Sequence, residues 1–396
     1  MRIAFINNFF TPRISGSARQ TEELALRCAR KGHDVLVVTT AARGAPGTEE
    51  RDGFRIVRLP SFTPPPSKFS YGSDVPWAGS PRNLRRMFKA LDDFRPDVIH
   101  QHGQFFDLTF LSSIYVARRK VPVVLTPHTR LEHPDQFADF VYRTGDRLLV
   151  KFFIDRSDPH FIVMDQTFDE YVRERYGAVD DDISIVNLGV DPNEFFDVKG
   201  TRIRERHGLG DRPVILSIGH VIPVRNRVTI VEAMPALLKK CPDACLLIVG
   251  EILDESFVEA KERLGLTDEH VLAVGPMPYR EIPEYVGAAD IEVHDTDGHG
   301  MGNANLEVMG AAVPSIVGVE PNIFMKVDLE SWGNIVLVKP RDVAGLAEAM
   351  AKLLTDVVTA SNIGLASRQL ILDYFTWDRI IAEHEAVYEK AIARAK

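Results

Sequence analysis

Asp295-Thr296-Asp297-Gly298-His299-Gly300-Met301-Gly302-Asn303-Ala304-Asn305-Leu306-Glu307-Val308-Met309-Gly310 follows a strand expected over 291–294 and leads into helical periodicity over 304–312. Three glycines bracket His299 and Met301 just before that helix. Successive backbone N–H groups in such a turn form an anion-accepting nest. Glu307 falls about one helical turn inside, where its carboxylate can accept from both hydroxyls of a ribose. The same unit of strand, glycine turn and helix stands at 214–239. There a strand over 214–218 gives way to Gly219-His220-Val221-Ile222-Pro223-Val224-Arg225-Asn226-Arg227 and then to a helix over 228–239. Arg225 reads as a diphosphate clamp, because a guanidinium makes bidentate charge-assisted bonds and the helix start adds its dipole. The competing reading of both segments is a solvated loop ahead of an ordinary helix.

Outward from these turns the alternation continues. The second half has further strand-like runs at 245–249, 270–274, 315–319 and 335–338, with helical patterns at 257–264, 282–288 and 343–353. The first half has strands at 3–7, 34–39, 54–59, 98–101 and 123–126, with helices at 19–31 and 81–94. Such alternation indicates parallel sheets wrapped by helices. The 396 residues suit two cores rather than one. The expected fold class is α/β, with two Rossmann-like domains facing each other across a cleft. The first domain is expected over 1–196 and the second over 197–374. Open parallel sheets bind ligands beyond the carboxyl ends of their strands, which directs attention to the turns there.

Composition narrows the class. Hydrophobic residues make up 45% and charged residues 26%, as in a globular chain. A net charge of −9 lacks the basic balance of a nucleic-acid binder. Two local basic clusters stand out, Arg82/Arg85/Arg86/Lys89 and Arg118/Arg119/Lys120, readable as solvated helix faces or as a surface for an acidic acceptor or anionic lipid. Cys28, Cys241 and Cys245 do not make a disulfide framework and read as reduced. No run approaches the roughly 20 apolar residues of a membrane span. Met1-Arg2-Ile3-Ala4-Phe5 reads as a buried strand and not a signal peptide. The expected location is cytoplasmic, with peripheral contact at the inner membrane face through such a surface.

Two first-half segments also sit after strands. Phe10-Thr11-Pro12-Arg13-Ile14-Ser15-Gly16-Ser17-Ala18-Arg19 opens a helix, and Gly16 admits close approach of a ligand. Val124-Leu125-Thr126-Pro127-His128-Thr129 puts His128 directly after a buried strand, where imidazole can bond a hydroxyl and take part in proton transfer. In order along the chain, these segments resemble the retaining glycosyltransferases of family 4, which have the GT-B fold. Pro12 to Gly16 resembles the family's Pro-x-x-Gly-Gly loop with Ser15 for the first Gly, and Pro96-Asp97-Val98-Ile99-His100-Gln101-His102-Gly103 matches its Pro-Asp-Val-Ile-His-x-His. Arg30 to Val35, Leu188-Gly189-Val190-Asp191, Gly275-Pro276-Met277 and Ala288-Ala289-Asp290 resemble further landmarks, and Phe375-Thr376-Trp377-Asp378 resembles the start of the family's C-terminal helix, which implies a helix at 375–396 crossing back to the first domain. Three departures fall at the donor site: His299 stands where the first Glu of the family's acidic pair is usual, His220 and Arg225 replace its Arg–Lys pair, and Leu188 replaces an Asn.

The resemblance implies a hexosyltransferase that moves a sugar from a nucleotide diphosphate-sugar, a UDP-sugar first, to a saccharide, lipid-linked or small hydroxyl acceptor. It implies retention, with the leaving phosphate taking the acceptor proton, and neither metal nor cofactor. His128 and His299 become the expected catalytic residues. Gly16, His220, Arg225, Gly300, Met301, Gly302 and Glu307 become the expected donor-binding residues, with the acceptor also near Gly16. His299, in place of a carboxylate, is expected to bond the donor sugar in its neutral form. Activity should then fall as pH drops through an ordinary imidazole pKa near about 6.5, with His128 adding to the fall. Asp295-Thr296-Asp297 spells a metal-binding triplet but reads as coincidence. Two alternatives stay open: a non-catalytic nucleotide-sugar-binding partner of an active transferase, and a GT-B phosphorylase or epimerase.

Overall fold

The computed structural model describes residues 1–13, 15–65, 74–133, 135–294 and 300–395. It comprises two compact units, Met1–Val186 with Ile380–Lys396, and Asn187–Arg379; the joints expected from sequence stood at 196 and 374. The first unit carries β1 (Arg2–Asn7), α1 (Gly16–Arg30), β2 (Asp34–Thr40), β3 (Thr48–Arg51), β4 (Phe54–Leu59), α2 (Pro81–Phe94), β5 (Val98–His102) and α3 (Asp107–Arg119). β6 (Val123–Thr126), α4 (Gln136–Gly145), α5 (Lys151–Ser157), β7 (His160–Val163), α6 (Gln166–Tyr176) and β8 (Ile183–Ile185) follow. Its sheet runs β3-β4-β2-β1-β5-β6-β7-β8, and every pairing is parallel except β3 with β4.

The second unit carries α7 (Thr201–Arg206), β9 (Val214–Ile218), α8 (Arg227–Leu238), β10 (Cys245–Val249), α9 (Glu255–Arg263), β11 (Val271–Ala273), α10 (Ile282–Gly287) and β12 (Ile291–His294). It continues with α11 (Asn303–Gly310), β13 (Ser315–Val317), β14 (Val336–Leu337), α12 (Val343–Thr355) and α13 (Val357–Tyr374). Its sheet order is β11-β10-β9-β12-β13-β14, all parallel. The last helix, α14 (Trp377–Arg394), belongs to the first unit from Ile380 onward.

Strands covered on both faces read as unbroken apolar runs. Ala4 and Ile6 of β1 pack on Met87 and Leu91 of α2 and Leu111 of α3. In the second unit Ile215 and Ile248 pack with Ile230 and Met350, whereas Leu216 and Leu247 point the other way, toward Phe195 and Tyr285. α1 starts where the Ser15 hydroxyl accepts from the Ala18 N–H, and stops at Gly32, whose φ of 88° only glycine adopts freely. Beyond that turn, His33 Nε2 and Lys31 Nζ bond the Glu385 carboxylate at 2.7 and 2.6 Å, fastening α14 to the first unit. Cys28, Cys241 and Cys245 are free and buried. The basic clusters are partly neutralised: Arg119 grips Asp92 at 2.7 and 3.0 Å, Lys89 pairs with Asp93 at 2.8 Å, and Arg118 lies over Phe88.

Four histidines of the first unit, His100, His102, His128 and His384, are held neutral, because burial disfavours the imidazolium. His128 and His384 are pushed down to about 4, and His100 and His102 lie well below the ordinary value. Unfolded histidines titrate near about 6.5. Between that value and the folded pKa the native state binds fewer protons, so stability is full above about pH 6.5 and declines as pH falls. Glu292 in the second unit runs the opposite way, its pKa raised to about 7 by burial. The urea midpoint should therefore be followed at pH 7, 6 and 5 for wild type and His384→Gln. The wild type should lose more stability on acidification than the variant; equal slopes would contradict neutral burial of His384.

Candidate functional site

Among the donor-site residues, the turn after β9 is set by two glycines. Gly219 has φ 121°, and a Cβ there would lie 2.1 Å from Arg225 Nη1. Gly250, just after β10 with φ 154°, is nearly as tight: its Cβ would lie 2.2 Å from the Gly219 carbonyl oxygen. The Arg225 side chain folds back over this bare turn. Arg225 closes a short 3₁₀ turn, Pro223–Arg225, and Asn226 in the left-handed region at φ 42° starts α8 without a side-chain cap. The first N–H groups of α8 are thus left without that partner. Among the described residues no acceptor bonds the Arg225 guanidinium, and desolvation pulls its pKa down. A desolvated cation without a counterion is costly, so this place favours an anion. His220 is exposed and accepts the Glu251 N–H at Nδ1, 3.2 Å, leaving Nε2 outward.

Beneath the turn lies a buried polar group that sequence reading missed. Arg227 is fully buried and donates from Nη2 to the Ile218 carbonyl, 3.0 Å, and to His294 Nδ1, 3.2 Å. Because that nitrogen accepts, His294 is neutral with its proton on Nε2. Burial, then the Arg227 and Arg225 charges, hold its pKa well below the ordinary value. Glu292, also fully buried, accepts from Asn305 Nδ2 at 2.9 Å. The legible signal was Glu292 itself, a carboxylate inside an otherwise apolar strand.

At the start of α11 the turn is only partly available to a ligand. Gly300 has φ 82°, the Met301 side chain is buried in the core, and the Gly302 N–H is taken by Asn305 Oδ1 at 3.3 Å. The Gly302 N–H, expected as a donor to the ligand, is thus engaged by Asn305, three residues on, which caps its own helix. Glu307 is buried, and its Oε1 accepts from the Tyr279 hydroxyl at 3.0 Å; that hydroxyl also lies 3.2 Å from Glu194 Oε2. Tyr279 had not been foreseen, since no motif marks it. His299, with Asp295, Thr296, Asp297 and Gly298, lies outside the described residues, so the structure does not place the residue of greatest interest in the sequence.

In the first unit, His128 follows β6 as expected and is half-buried. Its Nε2 lies 2.9 Å from Nδ1 of His102, the last residue of β5, and the rings are nearly coplanar at 15°. Burial pushes the His128 pKa down to about 4, below the range near about 6.5 in which the sequence reading expected it to titrate. Gly16 is the first residue of α1, is exposed, and a Cβ there would meet nothing within 4 Å.

Two parallel α/β units, each with its loops gathered at the carboxyl ends of the strands, define the GT-B glycosyltransferase fold. The chain matches the model of glycosyltransferase family 4 over residues 14–194 and that of glycosyl transferases group 1 over residues 212–356, and it belongs to this family of glycosyltransferases. It is 26% identical to the GDP-mannose-dependent alpha-(1-6)-phosphatidylinositol monomannoside mannosyltransferase of Mycolicibacterium smegmatis, over 94% of each chain. Its fold is that of sucrose-phosphate synthase from Thermosynechococcus elongatus, with a TM-score of 0.76, 20% identity and 99% of each chain covered. Anabaena HepE, solved with UDP and glucose, matches with a TM-score of 0.75, 16% identity and 98% of each chain covered.

The glycine turn yields a direct test. Gly219→Ala would displace the Arg225 guanidinium and strain a left-handed backbone by about 1–3 kcal/mol. Calorimetric titration should show a nucleoside diphosphate binding at least roughly fivefold more weakly. Unchanged affinity in the folded variant would show that the turn does not set Arg225 for binding.

Proposed function

We propose that this glycosyltransferase moves a hexose from a nucleotide diphosphate-sugar to a hydroxyl acceptor, with retention of configuration and without a metal. The observation that carries the reading is the Arg225 guanidinium, desolvated, bonded by no acceptor among the described residues, and set beside the uncapped start of α8. That combination suits a diphosphate, whose charge completes the guanidinium and whose oxygens can be bonded by N–H groups at a helix start. Glu307, oriented by Tyr279, is the ribose acceptor in this reading, and His220 offers Nε2 at the rim. His128, neutral at physiological pH, and His299 serve the sugar. The leaving phosphate takes the acceptor proton, as the family resemblance implies. Retention likewise follows the family. The donor base is the variable to be screened: UDP is the first choice from sequence, and the mycobacterial relative is named for GDP-mannose.

The acceptor reading favoured here is lipid-linked. Eight residues beyond His128, α4 begins a segment whose outer face exposes Phe137, Phe140, Leu148 and Phe152 by 63, 66, 71 and 54%. Arg143, Arg147 and Arg156 are exposed along the same segment. Aromatic and aliphatic side chains interspersed with cations make a face that lies at a lipid interface. This supports peripheral binding there rather than through the basic clusters, where Arg119 and Lys89 are paired with Asp92 and Asp93 and, among the described residues, no exposed apolar face accompanies the cations.

Arg225→Ala should weaken binding of a nucleoside diphosphate by roughly 1.5–3 kcal/mol, the range for bonds to charged groups. In the same titrations Glu307→Gln should lose affinity for a ribose donor but little for its 2′-deoxy analogue. Equal affinity of Arg225→Ala and wild type would remove the donor assignment. Binding of UDP- or GDP-sugar without transfer or hydrolysis would favour the non-catalytic partner instead. For the acceptor side, wild type should co-sediment with vesicles of phosphatidylglycerol and phosphatidylcholine. The double substitution Phe140→Ser with Leu148→Ser should abolish most of that binding while leaving nucleotide affinity intact; undiminished sedimentation would rule out this face.

A further inference from the structure

His128 has two ring nitrogens, and the first unit allots them differently. Nε2 faces His102 Nδ1 at 2.9 Å, whereas Nδ1 has no partner among the described residues. His102 is 1% exposed, packs against the Phe5 and His100 rings at 6.0 and 4.1 Å, and its own Nε2 is buried with no hydrogen-bond partner among the described residues. His100 cannot reorganise to help. Its Nδ1 is held by the Tyr388 hydroxyl and its Nε2 by the Thr126 hydroxyl, both at 2.8 Å.

One proton lies between the two imidazoles, and only two neutral arrangements exist. If His128 donated from Nε2, His102 Nδ1 would be the acceptor and its proton would sit on Nε2, an N–H buried without an acceptor. If His102 donates from Nδ1, its Nε2 is a bare lone pair. Among buried backbone groups the orphaned N–H is the rarer defect, and the same ordering favours the second arrangement. Burial excludes the doubly protonated ring at either position.

We propose that His102 is a positioning residue that donates to His128 Nε2 and thereby holds His128 as an Nδ1–H hydrogen-bond donor. In that tautomer His128 gives a hydrogen bond to an oxygen of the bound sugar or phosphate and cannot accept a proton from the acceptor hydroxyl, because its one lone pair is already used. The bond from His102 also polarises the outer N–H. This rests on the reading of His128 as a sugar-side residue, but the tautomer itself is measurable without turnover.

Long-range proton–nitrogen correlation spectra of the 15N-labelled full chain should show His128 with a protonated Nδ1 and a bare Nε2. The informative variants are His102→Asn, whose amide nitrogen overlays Nδ1, and His102→Gln, whose amide nitrogen overlays Nε2. Both keep a polar amide in the buried position. Asn should preserve the His128 tautomer and recover most of kcat with a donor that the wild type turns over. Gln should let the Nε2–H form appear and lower kcat by tenfold or more, with the affinity for free nucleoside diphosphate unchanged. A wild-type His128 protonated on Nε2, or the same tautomer and kcat in the Asn and Gln variants, would overturn the proposal. If no donor is turned over at all, the spectra still decide the tautomer, and the failure belongs to the functional reading alone.

Discussion

The backbone of Gly250 rests on the Gly219 carbonyl, where a Cβ would stand 2.2 Å from the oxygen. β9 and β10 are parallel neighbours, so their chains leave the sheet at the same edge and compete for the same space. Glycine at both exits resolves that competition. The turn at Gly219 can then reverse tightly, its N–H bonded to Val249 at 2.8 Å, and its open face receives the Arg225 guanidinium. Arg227 enters α8 two residues later and reaches back beneath the same turn to Ile218. The candidate donor residues of this unit are therefore placed by a steric constraint on two backbones, and the charged side chains fill the space it leaves.

Around the candidate site residues the two units bury polarity differently, although the first also buries Arg58 and Asp146 and the second also keeps the neutral His294. The first buries imidazoles and keeps them neutral: His100 between two hydroxyls, His384 donating to the Ile380 carbonyl at 2.8 Å, His102 against His128. Neutral rings need only their hydrogen bonds satisfied, and one unpartnered lone pair is a modest cost. The second unit buries charge, Arg227 with Glu292 close enough to oppose its rise in pKa, and Arg225 above them. A guanidinium cannot shed its proton in a protein. Its burial is tolerable only where partners or a ligand complete it, which Arg227 finds in Ile218 and His294 and Arg225 does not find among the described residues.

Much of this was legible in the sequence. The strands at 214–218, 245–249 and 123–126 are predominantly apolar and appear at those bounds, as does 291–294 despite Glu292 and His294 within it. β3 was not legible, because Thr-Glu-Glu-Arg has no apolar period; it pairs antiparallel at the sheet edge, where Glu49 meets the buried Arg58 at 2.7 Å. The break between α4 and α5 was hidden too. Its π-helical turn, Asp146–Val150, surrounds a buried Asp146 held by the Tyr171 and Tyr176 hydroxyls, a contact across 25 and 30 residues that no local pattern announces. At the site, strand ends and glycines pointed to Arg225, Glu307 and His128. The partners that orient them, Tyr279 and His102, and the polar layer beneath Arg225 arise from tertiary packing. His102 was visible only as a letter in a motif, and its role depends on a distance.

These differences in buried polarity bear on how a donor would be used. Interactions with the nucleotide hold the donor equally before and during bond cleavage, so they set affinity. In the proposed reading the Arg225 guanidinium, bonded by no acceptor among the described residues, would supply such an interaction without reorganisation, because the glycine turn already holds it. Contacts at the sugar contribute to rate only if they strengthen as charge moves from sugar to phosphate. A neutral N–H donor suits that requirement better than a cation. A permanent positive charge would oppose the positive character that the sugar ring develops as the bond to phosphate breaks, whereas a neutral donor still strengthens its bond to an oxygen gaining negative charge. A His128 kept neutral by burial, with its proton directed outward by His102, is a group of that kind, and it stays so across the physiological pH range because its pKa is pushed down to about 4.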